Sequence, residues 1–256
     1  MSLIVAAAQS HSIPGEIEQN LAHHLRLARL AAAEGADFLI FPELSISGYE
    51  PTLARAKAMA PDSALLDPLR QLAEETQMTI VAGAPVLGES GALHIAAFVL
   101  QPGAETRVQT KQYLHSSEEA VFSPGKAGKI LQVNKSRVGL AICADTSHPE
   151  HAAAAAAQGA ELYAAGALFS EKGYDADAKQ LQHYAREHRM AVLLANYSGT
   201  SGGWQSAGKS ALWNEAGELI AAAPDDAEVL IVGEKKAGGW QGRVLQVSAK
   251  QEKAAL

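Results

Sequence analysis

The chain is predicted to be an α/β protein, a four-layer α-β-β-α sandwich built from two duplicated αβ halves. Three observations predict it. Short apolar runs alternate with amphipathic stretches of helical period from end to end. Two passages recur in the same order: AEGADFLIF (33–41) resembles AQGAELYAA (157–165), and LAEETQMTIVAGA (72–84) resembles YAREHRMAVLLAN (184–196). No composition break, low-complexity linker or charge block divides the 256 residues, so one domain is expected over 1–247, followed by a short tail at 248–256. Each half would supply strands and two helices, with the halves packed sheet on sheet and the helices outside.

The elements follow in order. LIVAAAQ (3–9) ends an apolar run at a polar residue and reads as a buried strand. IEQNLAHHLRLARLAAAEG (17–35) places Leu21, Leu25, Leu27 and Leu30 on one helical face and closes at Gly35. ADFLIF (36–41) is a second buried strand, LLDPLRQLAEET (65–76) a helix, and TIVAGAP (79–85) and HIAAFVL (94–100) are strands. RVGLAI (137–142) is a strand, and PEHAAAAAAQG (149–159) a helix with Pro at its start and Gly at its end. A helix over AKQLQHYAREH (178–188), a strand over AVLLANY (191–197), and strands near KSALWN (209–214) and EVLIVG (228–233) complete the pattern. HSIPG (11–15) has the character of a loop tip, and Trp204 sits in a glycine-rich loop suited to folding over a pocket or to an oligomer contact.

Hydrophobic residues make up 48% of the chain and the net charge is −7 with both signs scattered, which argues against nucleic acid or an anionic membrane as partner. The single cysteine excludes an internal disulfide and fits a reducing, cytoplasmic setting. The N-terminus lacks a basic segment followed by a long apolar run, so neither a signal peptide nor a membrane span is expected.

Three ionisable residues each stand just after a strand-like run: Glu43 after FLIFP, Lys111 after TRVQT and Cys143 after VGLAI. Ligand sites in α/β architectures gather at the carboxyl ends of strands, where a rigid sheet holds side chains that loops surround. A thiol needs a nearby base or cation to become a nucleophile. Glu43 could take its proton and return it to a leaving amine, while Lys111 could favour the thiolate and stabilise an oxyanion.

FPELSISGYEP (41–51), TKQYL (110–114) and GLAICADTSHPE (139–150) resemble the three signature segments of the nitrilase superfamily of carbon–nitrogen hydrolases. The similarity continues through FSPGK (122–126), YAREHRMAVLLANYSG (184–199) and GKSALWNEAGELI (208–220). The resemblance implies the α-β-β-α sandwich and hydrolysis of a nonpeptide C–N bond through a thioester, without metal or organic cofactor, in a homodimer or larger homo-oligomer. It casts Cys143 as nucleophile, Glu43 as general base and acid, Lys111 as oxyanion donor and the Ala144 backbone N–H as second donor. A further Glu, positioning Lys111 and the attacking water, falls on Glu118, with Glu119 as the alternative register. Tyr49 is implied to line or support the pocket. Tyr113 stands in place of a frequent His, and Ser147 in place of an Arg, which puts in doubt a carboxylate-bearing substrate held there; both bear on pocket shape.

Against these roles stand plainer ones. A lone Cys is commonly a buried hydrophobe, a Lys or a Glu–Glu pair is commonly solvated, and Asp145 and His148 suit helix capping or backbone contacts. The remaining histidines show no ligand-like spacing. The expected function is therefore a thiol amidase acting on a small linear amide or N-carbamoyl compound. The alternatives are a nitrile hydrolase with the same triad, a non-catalytic binding scaffold, and a glutaminase subunit that would need a separate synthetase chain. No G-x-G-x-x-G follows the first strand, which disfavours a dinucleotide enzyme.

Overall fold

A computed structural model describes residues 2–247. The first half runs β1 (Leu3–Gln9), α1 (Ile17–Ala33), β2 (Phe38–Ile40), α2 (Asp67–Thr76), β3 (Thr79–Leu87), β4 (Leu93–Leu100) and β5 (Arg107–Thr110). The second runs β6 (Leu131–Val133), β7 (Ser136–Ile142), α3 (Pro149–Ala157), β8 (Leu162–Ala167), α4 (Tyr174–His188) and β9 (Ala191–Asn196). A two-stranded ribbon, β10 (Thr200–Ser201) and β11 (Trp204–Gln205), precedes β12 (Ala211–Trp213), β13 (Leu219–Ala222), β14 (Val229–Lys236) and β15 (Gly239–Gln246).

One sheet has the order β15-β14-β1-β2-β3-β4-β5 and the other β13-β12-β9-β8-β7-β6. In the first, β1, β2 and β3 are parallel while β14, β4 and β5 run antiparallel to their neighbours. In the second, β7, β8 and β9 are parallel while β6, β12 and β13 are antiparallel. The two halves thus share one topology, and the repeated passages fall on matching strands: β2 with β8, and β3 with β9.

Side-chain alternation assigns the layers. Val5, Ala7, Phe38 and Ile40 pack with Val138, Leu140, Leu162 and Leu193 in the core between the sheets. Ala6, Ala8, Leu39 and Ile80 face Leu27, Ala31, Leu69 and Leu72 of α1 and α2. Tyr163, Ala165, Val192 and Leu194 face Ala152, Leu181 and Tyr184 of α3 and α4. Strands buried on both faces read as continuous apolar runs, which is why these were visible in the sequence.

The structure adds β6, the β10–β11 ribbon and β13, where no strand was expected, and differs in three further places. Helix α4 begins at Tyr174, not 178, because the buried Tyr174 ring anchors the first turn and its hydroxyl donates to Lys209 O at 2.6 Å. In α1, Leu21 and Leu27 are buried but Leu25 and Leu30 are only partly covered; the buried face also carries Asn20, His23 and His24. Those polar residues serve neighbouring loops: Asn20 Nδ2 donates to Ile13 O at 2.8 Å and Ile46 O at 3.0 Å. Strand β15, an edge strand exposed along much of its length, had no apolar run to announce it. The tail at 248–256 lies outside the described residues. No helix among the described residues is long and apolar enough to cross a membrane.

Candidate active site

The segment after β2 passes between the two sheets, and two glycines make room for it. A Cβ on Gly83 of β3 would lie 2.3 Å from Leu44 N, and one on Gly166 of β8 would lie 2.5 Å from Phe41 O. Leu44 itself is left-handed, at φ 51°. From inside α1, His24 braces this segment. Its Nδ1 donates to Asn20 O at 2.6 Å and its Nε2 accepts from the Ser45 hydroxyl at 2.9 Å. Burial pulls the His24 pKa down to about 3, so the brace is uncharged.

Glu43, held this way, is buried, as is Lys111 at the end of β5. Lys111 Nζ donates to Glu43 Oε1 at 2.6 Å and to Glu118 Oε1 at 2.7 Å. The same Glu118 oxygen accepts the Tyr49 hydroxyl at 2.7 Å, while Oε2 accepts His115 N–H at 2.8 Å. Glu118 is buried and Glu119 exposed, so it is Glu118 that meets Lys111. The turn Pro124–Gly125 pins the lysine's backbone, Gly125 N–H donating to Lys111 O at 2.6 Å.

Cys143 follows β7 at φ 44° and opens a 3-10 turn over Cys143–Ser147. A non-glycine residue at positive φ on a strand-to-helix turn is strained, and nucleophiles are presented in this manner. Asp145 holds the turn in place. Its Oδ2 accepts Ile142 N–H at 3.0 Å, and its Oδ1 accepts the N–H groups of Gln112 and Tyr113 at 3.0 and 2.9 Å, tying the Cys143 turn to the Lys111 strand. Asp145 therefore binds backbone, and the N-cap of α3 is His148.

Burial drives the electrostatics. It raises the Glu43 pKa to about 7, and the Glu118 charge adds to this against the opposing pull of Lys111. The Cys143 thiol is pushed well up by burial and by Glu43, with Lys111 partly offsetting both. Burial alone would lower Lys111, but the neighbouring Glu43 and Glu118 carboxylates pull it upward, and it stays charged. An ammonium has three N–H donors, and two are used here. Glu43 Oε2 is buried without a hydrogen-bond partner.

A cavity of about 250 Å³ opens beside these groups, lined by Tyr49, Glu118, Cys143, Ala144 and Ser147, with Leu168, Phe169, Ser170, Gly173 and Asp177 from the segment entering α4. His115 and Trp204 complete its wall. Cys143 Sγ contacts Leu168 O at 3.8 Å. Glu43 and Lys111 stand behind this surface. Tyr113 is not part of the lining; its ring stacks on His148 with centroids 3.8 Å apart. The sequence reading missed Leu168, Phe169, Ser170 and Asp177, which no motif marks. It also missed a cluster away from the cavity, where His11 Nδ1 and His23 Nε2 meet one Glu228 oxygen at 2.7 and 2.8 Å. Residues so far apart in sequence leave no spacing signal.

A buried carboxylate, an ammonium and a thiol at the carboxyl ends of strands in a four-layer sandwich define a hydrolase scaffold, and the family follows from sequence. The profile of the carbon-nitrogen hydrolase family matches residues 4–241, and the chain belongs to that family, within the nitrilase superfamily. Among curated relatives, an N-carbamoylputrescine amidase of Solanum lycopersicum is 26% identical, covering 93% of this chain and 90% of its own length. A nitrilase of Pyrococcus abyssi is 27% identical, over 86% of this chain and 84% of its own. Among solved structures, an amidase variant from Nesterenkonia sp. AN1 in complex with butyramide superposes with a TM-score of 0.81. It is 26% identical, over 90% of this chain and 89% of that one.

Proposed function

We propose that the protein hydrolyses a small linear amide or N-carbamoyl compound through a thioester on Cys143. The observation that carries this reading is the buried Glu43–Lys111–Glu118 chain set behind a thiol that lines a cavity. Glu43, with its pKa near 7, accepts the thiol proton as Cys143 Sγ attacks the carbonyl carbon and forms a C–S bond. The third Lys111 N–H and the Ala144 N–H receive the oxyanion. Glu43 then returns the proton to the leaving nitrogen as the C–N bond breaks. Water enters, gives a proton to Glu43 and attacks the thioester; the C–S bond breaks, the acid leaves, and the proton returns to sulfur. Glu118 holds Lys111 in register, with Tyr49 fixing Glu118. Because the resting thiol is held neutral, proton transfer accompanies attack and does not precede it.

Ammonia release from a panel of short amides, N-carbamoyl amines and acids, and nitriles, with wild type and Cys143→Ala, tests the proposal. Amide or carbamoyl turnover that vanishes in Cys143→Ala is expected. Turnover of a nitrile without matching amide turnover would favour the nitrilase reading that the Pyrococcus relative supports, and activity surviving in the variant would remove Cys143 as nucleophile. The family resemblance also supports a homodimer or larger homo-oligomer, which light scattering on the purified protein checks, and the single cysteine suits a cytoplasmic setting.

A further inference from the structure

Asp177 has no role in the chemistry above, yet it lines the same cavity as Cys143. It sits in the first turn of α4, and its carboxylate is partly buried with no hydrogen-bond or ion-pair partner among the described residues. Gly173 makes room for this carboxylate: a Cβ there would lie only 3.2 Å from Asp177 Oδ2. An unpaired, half-desolvated carboxylate is unfavourable until something meets it.

The rest of the lining says which charge that is. No Lys or Arg lines the cavity. Lys111 stands behind the wall, with two N–H groups on carboxylates and the third assigned to the reacting oxygen, so it is not placed to pair with a substrate tail. Ser147 brings only a neutral hydroxyl to the lining. Trp204, 41% exposed on the β10–β11 ribbon, lines the cavity beside His115, whose ring meets it at 86° with centroids 6.0 Å apart, and aromatic rings attract ammonium groups. The lining therefore repels an anionic substrate tail and attracts a cationic one.

We propose that Asp177 sets specificity by receiving a terminal ammonium of the substrate, so that the preferred compound is a short linear amide or urea bearing a primary amine, with Trp204 covering its chain. This rests on the hydrolase reading of Cys143. The amine can belong to the acyl part, as in an ω-amino amide, or to the nitrogen part, as in an N-carbamoyl diamine.

The test compares kcat/KM within two matched sets. One is 4-aminobutanamide, pentanamide and glutaramic acid; the other is an aminoalkyl urea and its alkyl isostere. Wild type is expected to prefer the ammonium member over its neutral isostere by about tenfold or more, as a charged hydrogen bond allows, and the favoured set identifies where the amine resides. In Asp177→Asn the ammonium substrates lose about 10- to 100-fold, mainly through KM, and pentanamide loses clearly less; Asp177→Glu recovers part of the loss. In wild type alone, added salt raises KM for the ammonium substrate and not for pentanamide. Equal losses for charged and neutral substrates in Asp177→Asn, or a wild-type preference for glutaramic acid, would overturn the role of Asp177 while leaving the amidase intact. Absence of turnover across both sets overturns the hydrolase reading beneath it, and this inference with it.

Discussion

Lys111 Nζ lies 2.6 Å from Glu43 Oε1, and neither side chain is exposed to solvent. The pair joins the ends of β5 and β2 across 68 residues of chain. An ion pair this deep is costly to desolvate, and its burial is what moves Glu43 into the range where a carboxyl exchanges protons near neutrality.

The pH dependence of kcat/KM follows. Only ionised Glu43 can accept the thiol proton, so the acid limb should rise through about pH 7, with a neutral amide as substrate. A limb centred near 4.5, the ordinary value, would mean that Glu43 is not the base. Stability moves the other way. The folded pKa is raised, so the folded state holds this proton more tightly, and stability falls as pH climbs from 4.5 towards 7. Glu43→Gln removes that slope: its melting temperature should gain on wild type across this interval while activity drops about 10²- to 10⁴-fold.

Glu118 and Glu119 are neighbours with opposite surroundings. Glu118→Gln weakens the anchor that Lys111 and Tyr49 share and should lower kcat by about tenfold or more, with a smaller effect on KM. Glu119→Gln, at an exposed position, should leave both constants unchanged. Equal effects in steady-state kinetics would contradict the assignment.

Gly83→Ala forces a methyl against the Leu44 backbone, which cannot swing aside as a flexible side chain would. The expected outcome is a loss of about 1–3 kcal/mol in urea unfolding together with lost activity, since the same backbone carries Glu43. Gly238→Ala, with nothing within 4 Å of the added Cβ, is the control and should change neither.

The Glu228 cluster should act as a pH-dependent latch between β14 and the chain after β1. Burial would raise the Glu228 pKa, but hydrogen bonds from His11 and His23 hold it well below its ordinary 4.5, and the Glu228 bond raises His11 above 6.5. The Glu228 contribution is present above 4.5 and lost on acidification; that of His11 is complete below 6.5 and lost as pH rises through its folded value. Glu228→Gln should therefore cost most, about 1 kcal/mol, near pH 5.5 and less near pH 8.5, read as the difference in unfolding free energy.

The candidate site residues Glu43, Lys111 and Cys143 were legible because each follows a strand-like run within a recognisable segment, and the parallel strands were legible because they are buried on both faces. Asp177 was not, since an acidic residue in a first helical turn reads equally well as a partner of the helix dipole. The stripe on α1 was misjudged because Asn20 and His24 are buried for their hydrogen bonds, which hydrophobic periodicity does not register. Tyr113 was expected at the pocket because it stands in place of a frequent His in the segment after Lys111, but its ring turns to His148 while its backbone serves Asp145.

The central claim is the thioester on Cys143. Rapid-quench mass spectrometry of the wild type during turnover of a short aliphatic amide, followed by peptide mapping, tests it most directly. The account predicts an acyl adduct on the peptide containing Cys143 and none in Cys143→Ala. An adduct on another residue, or steady amide turnover in Cys143→Ala, would contradict it.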